Sequence, residues 1–310
     1  MSRKEISMEK QRTLTTIVSY PERGEGGSNR YRGNCSPKLI EDLLAFYKPN
    51  EICDYMCGSG TTGAAAEHMG VPYHLYDLHS GFDLLSCEIQ ERPDFIFFHP
   101  PYWSIITYSD VMYSAKQVEE RYGYDPRKLD LSRIEEWPDF LRALNAATLR
   151  QFAALEKGGR LAVLMGDIKK KGKLYSMLLE MTKPGTIEQI IIKAQHNTVS
   201  GRRNYSGKFI PIEHEYVLIL RKDNPLLIPA LISREVQTDI RDWKNATWKD
   251  VVYAVLKESG REMKLDDLYR RIDGHKRAQN PHWQAKVRQT LQLHPDLFCH
   301  VQRGVWALAS

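Results

Sequence analysis

A rigid aromatic turn interrupts the apolar stretch "DFIFFHPPYWSIITYSD", which spans residues 94–110. Proline rings fix the backbone and lack an N–H group, so the carbonyls around them point in set directions. Such a carbonyl, with an aromatic ring beside it, suits a planar ring that carries an amino group, because the amine donates hydrogen bonds while the ring stacks. The alternative is an ordinary strand-ending turn whose aromatic residues belong to the core. The catalytic residues expected from this turn are His99, Pro100, Pro101 and Tyr102.

A glycine-rich segment, "CGSGTTGAAAEHMG" (57–70), follows the apolar strand candidate "EICDYM" and leads into a helix. Glycines allow a ligand to approach the backbone closely, and free N–H groups at a helix start suit an anion. The segment lacks both the ending of a P-loop and a clean GxGxxG pattern, and a plain tight turn is the alternative. Asp77 ends the next strand candidate, where a carboxylate is placed to bond the two hydroxyls of a ribose. Asp83 could reach an adenine amine or lie in a surface turn.

Apolar segments alternate with helical patterns over the first two thirds of the chain. The helices are predicted from Ser36 as N-cap with Pro37 at the first position, after the glycine loop, at 137–159, and in a basic segment at 173–182. Near-continuous apolar strands in such an alternation predict an α/β fold with a doubly wound, mostly parallel sheet. Ligands bind such sheets at the carboxyl ends of the strands. The predicted strands are 51–56, 72–78, 94–99, 160–167, 187–194 and 213–222.

The last 66 residues have a different pattern. Helices are predicted at 247–260, 264–275 and 280–295, the last with Asn280 as N-cap, and a hairpin is predicted around Gly304. Three helices and a hairpin are the plan of a winged helix, which is a variant of the helix-turn-helix. The predicted organisation is a flexible segment at 1–30, a catalytic domain at 31–222, a linker at 223–244 and a winged-helix domain at 245–310.

Positive charge is concentrated in two places, although the net charge is only +5. Residues 193–208 hold four basic and no acidic side chains, and residues 245–310 hold 11 Lys and Arg against 7 Asp and Glu. This distribution favours a polyanionic partner, with a solvated basic surface as the alternative. The segment 166–173 is a further basic candidate, and winged helices also serve as protein adaptors. The residues expected to contact DNA are Trp103, Arg202, Arg203, Lys208, Lys286 and Arg288.

The composition is that of an ordinary globular protein, with 310 residues of which 42% are hydrophobic and 27% charged. No apolar run approaches the roughly 20 residues of a membrane helix, and the N-terminus has no secretion signal, so we expect a cytoplasmic protein without a membrane partner. The five cysteines are odd in number and lack C-x-x-C spacing. Reduced thiols are therefore favoured over a zinc site, and no metal is expected.

The glycine loop followed by the Pro-Pro-Tyr turn resembles the S-adenosylmethionine-dependent DNA amino-methyltransferases, which make N6-methyladenine or N4-methylcytosine. This family carries a (D/N/S)-P-P-(Y/F/W) tetrapeptide and a strand and loop similar to "DYMCGSGTT". The segment "RGNCSPKLIEDLL" is similar to the element that covers the methionine end of the cofactor, and "HEYVLILRK" to a late hairpin strand. The resemblance covers roughly residues 30–222 and implies a Rossmann-like class I methyltransferase fold.

The resemblance also implies roles for individual residues. Pro100 would offer its carbonyl to the amine, Tyr102 would stack on a flipped base, and Asp77 would hold the ribose. His99 departs from the usual Asp, Asn or Ser, and its neutral imidazole can still accept one hydrogen bond. The cofactor would be S-adenosylmethionine. The residues expected to line its site are Ser36, Pro37, Asp54, Gly58, Ser59, Gly60, Thr61, Asp77 and Asp83.

The implied mechanism is direct methyl transfer to an exocyclic amine, in which no cysteine acts as a nucleophile. Double-stranded DNA is the expected substrate, with adenine N6 slightly favoured over cytosine N4. A homodimer and a companion restriction system are compatible with the sequence, as is an origin in a prokaryote, a phage or a mobile element. The rival functions are an RNA or protein amino-methyltransferase, and a transcriptional regulator that binds the cofactor without catalysis.

Overall fold

The computed structural model describes residues 14–24, 26, 33, 35–112, 125–196 and 210–309. The chain divides into two compact units, Met1–Arg234 and Glu235–Ser310. Within the described ranges, no helix combines the length and the apolar character needed to cross a membrane.

A mostly parallel sheet of seven strands forms the first unit, in the order β1-β9-β10-β5-β4-β2-β3. Strand β10 is antiparallel to both of its neighbours, and the other pairs are parallel. The predicted doubly wound, mostly parallel sheet is thereby confirmed. Its strands are β1 (Ile17–Ser19), β2 (Ile52–Asp54), β3 (Tyr73–Leu75), β4 (Phe95–Phe98), β5 (Arg160–Met165), β9 (Thr186–Ala194) and β10 (His214–Arg221).

Both faces of the sheet are buried at its central strands, where successive side chains point to opposite faces, whereas the outer strands are partly exposed. In β4, Phe95 and Phe97 belong to one core cluster and Ile96 and Phe98 to the other. Helix α1 packs residues such as Leu39 into the first cluster, and α4 contributes to the second. The helices of this unit are α1 (Pro37–Tyr47), α2 (Thr61–Met69), α3 (Ser109–Met112), α4 (Trp137–Ala154) and α5 (Met177–Glu180).

The chain reverses its direction of winding at β2. Ile52 of β2 pairs with Tyr73 of β3 on one side and with Phe95 of β4 on the other. The loops that follow β2 and β4 therefore leave the sheet side by side at its carboxyl edge. A cleft at such a switch point is where open α/β sheets bind ligands.

The basic helix predicted at 173–182 is wrong for most of its length. Strands β6 (Asp167–Lys170) and β7 (Lys173–Ser176) form an antiparallel hairpin there, and α5 supplies one short helical turn after it. Lys171 and Gly172 have φ values of 51° and 79°. Two consecutive positive φ values belong to the tight turns whose twist matches a hairpin.

The segment predicted as a linker contains a short strand, β11 (Ala230–Leu231), which pairs with β8 (Lys183–Pro184). Helix α4 is also shorter than predicted, because it ends at Ala154 and the two glycines form the turn before β5. Both differences arise where residues distant in sequence make backbone hydrogen bonds that local patterns do not reveal.

The second unit has three helices and a three-stranded antiparallel sheet of order β12-β14-β13 around one apolar core. Thr247 and Asp250 form a reciprocal capping box at the first helix, and Gly260 ends it with φ 64°. The third helix begins at Trp283 rather than Asn280. The Asn280 side chain instead accepts the His282 N–H at 2.9 Å, in a turn just before the helix. The elements are α6 (Trp248–Ser259), α7 (Leu265–Ile272), α8 (Trp283–Leu293), β12 (Met263–Lys264), β13 (Phe298–Gln302) and β14 (Val305–Leu308).

Candidate active site

The glycine loop after β2 is held by the carboxylate of Asp54, which ends that strand. One oxygen accepts a hydrogen bond from the Met56 N–H at 3.0 Å, and the other accepts from the Thr62 hydroxyl at 2.5 Å. The loop therefore joins the strand end to the first turn of α2. Gly58 and Gly60 have φ values of 50° and 80°, in the left-handed region that glycine adopts without a steric penalty.

Burial raises the pKa of Asp54 from 3.8 to about 7, against the opposing effect of its hydrogen bonds from Thr62 and Met56. The residue is only 3% exposed. The negative charge of Asp77 nearby raises the pKa further. A buried carboxyl group that titrates near neutrality thus lies at the base of the loop.

Asp77, which follows β3, also holds the glycine loop in place. Its carboxylate accepts the Gly58 N–H at 2.9 Å, and its other oxygen lies 2.9 Å from Nδ1 of His79. The oxygen beside His79 also accepts the His79 N–H at 3.2 Å, whereas the oxygen that accepts from Gly58 has a second lone pair, so Asp77 can hold the loop and still accept a ligand hydroxyl. Asp83 is likewise buried and accepts from the Leu85 N–H and the Ser86 hydroxyl, which makes it part of an ordered turn.

A cavity opens between these carboxylates and the turn after β4, and we call it the glycine-loop cavity. Its apolar walls include Phe82, Leu84 and Leu131. The Thr61 side chain is 5% exposed, and its hydroxyl has no hydrogen-bond partner within the described part of the chain. The residues expected at the cofactor or the amine that line this cavity are Asp54, Gly58, Ser59, Thr61, Asp77, Asp83, His99 and Pro101.

The His-Pro-Pro-Tyr turn separates the glycine-loop cavity from a second one, which we call the Tyr102 cavity. Tyr102, Lys193 and Glu215 lie in its wall, together with Ser36. His99 and Cys35 line both cavities. The two cavities therefore share a wall that includes His99, where a group bound in one can approach a group bound in the other.

Three of the expected residues line neither cavity. Gly60 shapes the loop backbone, while Pro37 and Pro100 are buried. Ser36 precedes α1 as predicted, but its hydroxyl donates to the Arg23 carbonyl at 2.6 Å instead of capping the helix.

The ring of Tyr102 packs against the backbone of Gly166, where an added Cβ would lie 2.8 Å from Cε2 of the ring. The Tyr102 hydroxyl donates to Oε1 of Glu215 at 2.7 Å and lies 3.1 Å from Nε2 of His99. Burial lowers the pKa of His99 to about 4, so the imidazole is neutral at physiological pH. Burial also raises the pKa of Cys35 to about 12, which keeps this thiol protonated beside the histidine.

Trp103 is not available to a nucleic acid, contrary to its expected role in DNA contact. The residue is 5% exposed, and its indole N–H donates to the Ile134 carbonyl at 2.9 Å. Its ring packs against Trp137 and Tyr175. A φ of 48° turns the chain at Trp103, so the side chain points into the core and not toward the rim.

The other residues expected to contact DNA have mixed outcomes. Arg202, Arg203 and Lys208 lie outside the described residues. Lys286 and Arg288 are exposed on α8, where Arg288 donates to the Tyr269 hydroxyl at 2.9 Å.

The ion pair of Lys193 and Glu215, whose Nζ and Oε2 atoms are 2.7 Å apart, was not predicted from the sequence. The two residues face each other across β9 and β10. A glutamate within the apolar strand "HEYVLILR" was the available signal, because a buried carboxylate requires a partner.

Comparisons with known proteins give only distant likenesses. No family model and no curated protein matches the chain. Among solved structures, TrmN from Thermus thermophilus is similar at 14% identity and a TM-score of 0.32, over 62% of this chain and 51% of that protein. A candidate DNA modification methylase, also from Thermus thermophilus and complexed with S-adenosyl-L-methionine, has 16% identity and a TM-score of 0.29, with 78% and 75% of the two chains covered.

A modification subunit of a candidate type I restriction enzyme from Vibrio vulnificus has 14% identity and a TM-score of 0.32, with 65% and 46% covered. The match therefore spans about half the length of TrmN and of this subunit. TM-scores below 0.5 do not establish a common fold. The fold described above therefore rests on the strand order of this chain.

Proposed function

We propose that this protein transfers a methyl group from S-adenosylmethionine to an exocyclic amino group of a base in double-stranded DNA, with adenine N6 as the first candidate and cytosine N4 as the second. One observation carries the proposal: the glycine-loop cavity and the Tyr102 cavity meet at His99. A donor bound in the first cavity and a base bound in the second would bring their reacting atoms together at this residue.

The glycine-loop cavity suits S-adenosylmethionine in each of its chemical parts. Carboxylates at Asp77 and Asp83 can accept hydrogen bonds from ribose hydroxyls and an adenine amine. Phe82 and Leu131 give apolar contact for an adenine ring. The unpartnered hydroxyl of Thr61 and the N–H groups at the start of α2 are donors for a carboxylate. When bound, the cofactor supplies a methyl group on a sulfonium sulfur, which keeps the S–C electrons as the N–C bond forms.

The protein residues act on the amine by positioning and electrostatics. His99 is neutral, so one of its ring nitrogens can accept a hydrogen bond from the amine. The resemblance gives the Pro100 carbonyl the same role, but Pro100 is buried and lines neither cavity, so His99 is the acceptor that the cavities support. An acceptor for the amine hydrogen favours a more tetrahedral nitrogen whose lone pair faces the methyl donor. The amine then releases one proton to solvent as it gains the methyl group, which balances the transfer.

The aromatic ring of Tyr102 would stack on the base. Its contact with Gly166 prevents the ring from retreating, and its hydroxyl is held by Glu215. Tyr102 lines the second cavity and not the first. Its ring therefore belongs to the proposed base site and makes no contribution to the proposed cofactor site.

We assign the second unit to the winged-helix class, in which α8 would enter a groove of DNA. Its three helices and its β12-β14-β13 sheet support this assignment. Lys286 and Arg288 are exposed on α8 and would contact phosphates or bases. DNA is favoured over RNA because such units read duplex grooves.

The direct test is incubation of the protein with S-adenosylmethionine carrying a labelled methyl group and with duplex DNA, matched RNA or protein extract. The products are digested to nucleosides or amino acids, and the labelled species is identified. Labelled N6-methyladenine or N4-methylcytosine from DNA is the expected result. Label in RNA or protein alone would refute DNA as the substrate and identify RNA or protein in its place. Tight cofactor binding without labelled product would favour the non-catalytic regulator.

The variant Tyr102→Ala separates the two cavities. Because the ring lines only the base side, turnover should fall strongly, while the affinity for S-adenosylmethionine should change by less than about twofold. Isothermal titration calorimetry measures the affinity and the labelled assay measures the turnover. Loss of cofactor binding in this variant would contradict the assignment of the cavities.

A further inference from the structure

A buried ion pair lies behind the proposed base site and has no part in the mechanism so far. Glu215 is 7% exposed, and Oε2 of its carboxylate is 2.7 Å from Nζ of Lys193. Burying two charges costs solvation energy that their attraction seldom exceeds by much. Stability alone therefore does not account for a buried ion pair at this position, and we expect the pair to have another role.

The second oxygen of Glu215 supplies that reason, because Oε1 accepts the Tyr102 hydroxyl at 2.7 Å. A hydroxyl has one proton to donate. The Tyr102 oxygen, having donated to Glu215, can only accept from Nε2 of His99, which lies 3.1 Å away. The hydrogen-bond direction therefore runs from His99 to Tyr102 to Glu215.

The reverse direction would require a protonated Glu215. Burial alone would raise the pKa of Glu215, but the charge of Lys193 and the hydrogen bonds from Lys193 and Tyr102 outweigh it and lower the pKa. The carboxylate is thus ionised at neutral pH and cannot donate a proton to Tyr102.

A neutral histidine carries its proton on one ring nitrogen only. If Nε2 carries the proton, Nδ1 has the free lone pair. Within the described part of the chain, Tyr102 is the sole hydrogen-bond partner of the His99 ring, so Nδ1 is uncommitted. His99 lines both cavities, and an amine bound in either one that reaches Nδ1 would find its lone pair free.

We propose that Glu215 is a positioning residue, which acts through the Tyr102 hydroxyl to fix His99 as the Nε2–H tautomer and so presents Nδ1 as the acceptor for the target amine. This inference rests on the proposed function for its purpose, but the tautomer itself is independent of any substrate. The Nε2–H tautomer also explains how His99 can replace the Asp, Asn or Ser that similar turns carry. Nδ1 of that tautomer offers a lone pair, as the side-chain oxygen of those residues does.

The experiment is ¹⁵N nuclear magnetic resonance of protein labelled in its histidines, at pH 7 without cofactor or DNA. The His99 signals are assigned by their loss in His99→Asn. The protonated nitrogen of His99 is expected to be Nε2 in the unaltered protein. A protonated Nδ1 would overturn the inference, whatever the protein does to DNA.

Two variants interrupt the connection. Lys193→Met combined with Glu215→Gln removes both charges together, so that no unpaired ion is buried, and Tyr102→Phe keeps the ring without the hydroxyl. Each should give a mixture of His99 tautomers and lower kcat by roughly tenfold or more, as expected for loss of a hydrogen bond to a charged group. The KM for S-adenosylmethionine should stay within about twofold. The matched control is Asp167→Asn, which alters a nearby carboxylate that contacts Tyr216 instead and should leave the tautomer unchanged.

A fixed Nε2–H tautomer with full turnover in both variants would refute the role of Glu215. The Tyr102→Phe protein decides the matter if the double variant does not fold. A protein that shows the expected tautomer and its loss in the variants, but methylates no substrate, would refute the proposed function and leave the connection through Tyr102 intact. The two failures are thereby distinguishable.

Discussion

The buried carboxyl group of Asp54 makes the stability of the first unit depend on pH. Its pKa is raised from 3.8 to about 7, chiefly by burial. The folded state therefore binds a proton more tightly than the unfolded state does. Stability from this group is fully present below pH 3.8 and is lost as the pH rises through about 7.

The magnitude follows from the separation of the two pKa values. At about 1.36 kcal/mol per pH unit, the difference corresponds to a loss of about 4 kcal/mol between low pH and pH 8.5, as an upper bound. The substitution Asp54→Asn keeps the shape of the side chain and can still accept from the Met56 N–H, while its amide can donate to Thr62. Because the asparagine amide does not ionise, the substitution removes the free-energy cost of a buried negative charge at high pH.

The free energy of unfolding of Asp54→Asn should therefore match that of the unaltered protein near pH 3 and exceed it by roughly 1 to 4 kcal/mol at pH 8.5. Urea unfolding followed by amide hydrogen exchange in β4 and β5 reports the first unit separately from the second. The comparison at pH 3 serves as the internal control. Identical pH dependence in the two proteins, or a less stable variant at pH 8.5, would refute this reasoning.

Three further predictions address the loop, the base site and the second unit. Gly166→Ala places a Cβ 2.8 Å from the Tyr102 ring and should lower turnover roughly tenfold with cofactor affinity retained; an active enzyme would show that the ring is free to move. Gly60→Ala, at φ 80°, should lower the free energy of unfolding by about 1 to 2 kcal/mol in urea titrations, and an unchanged midpoint would argue against the left-handed loop. Replacing Lys286 and Arg288 together with Ala should reduce the slope of log K against log salt for duplex DNA by about 2, whereas an unaltered slope would exclude α8 from the interface.

The sequence predicted the parts of the site that local chemistry determines. A strand followed by closely spaced glycines correctly indicated the loop between β2 and α2, and Pro100 and Pro101 correctly indicated the end of β4. These features could be predicted because φ restrictions act within a few residues.

Features that depend on distant contacts were missed. Glu215 lies 113 positions from Tyr102, and no local pattern connects the two. The inward direction of Trp103 depends on a positive φ that a bulky residue rarely adopts, so its ring was wrongly expected at the rim. The segment 173–182 was wrongly expected to be a helix, because strand β7 is set by its pairing with β6 and by the turn at Lys171 and Gly172, which lie before that segment.

The most direct test of the account is a crystal structure of the protein with S-adenosylhomocysteine, the product of methyl transfer. We expect the ribose at Asp77, the adenine between Phe82 and Leu131, and the sulfur directed toward His99 at the junction of the two cavities. A nucleoside bound outside the glycine-loop cavity, or a sulfur that points away from the Tyr102 cavity, would contradict it.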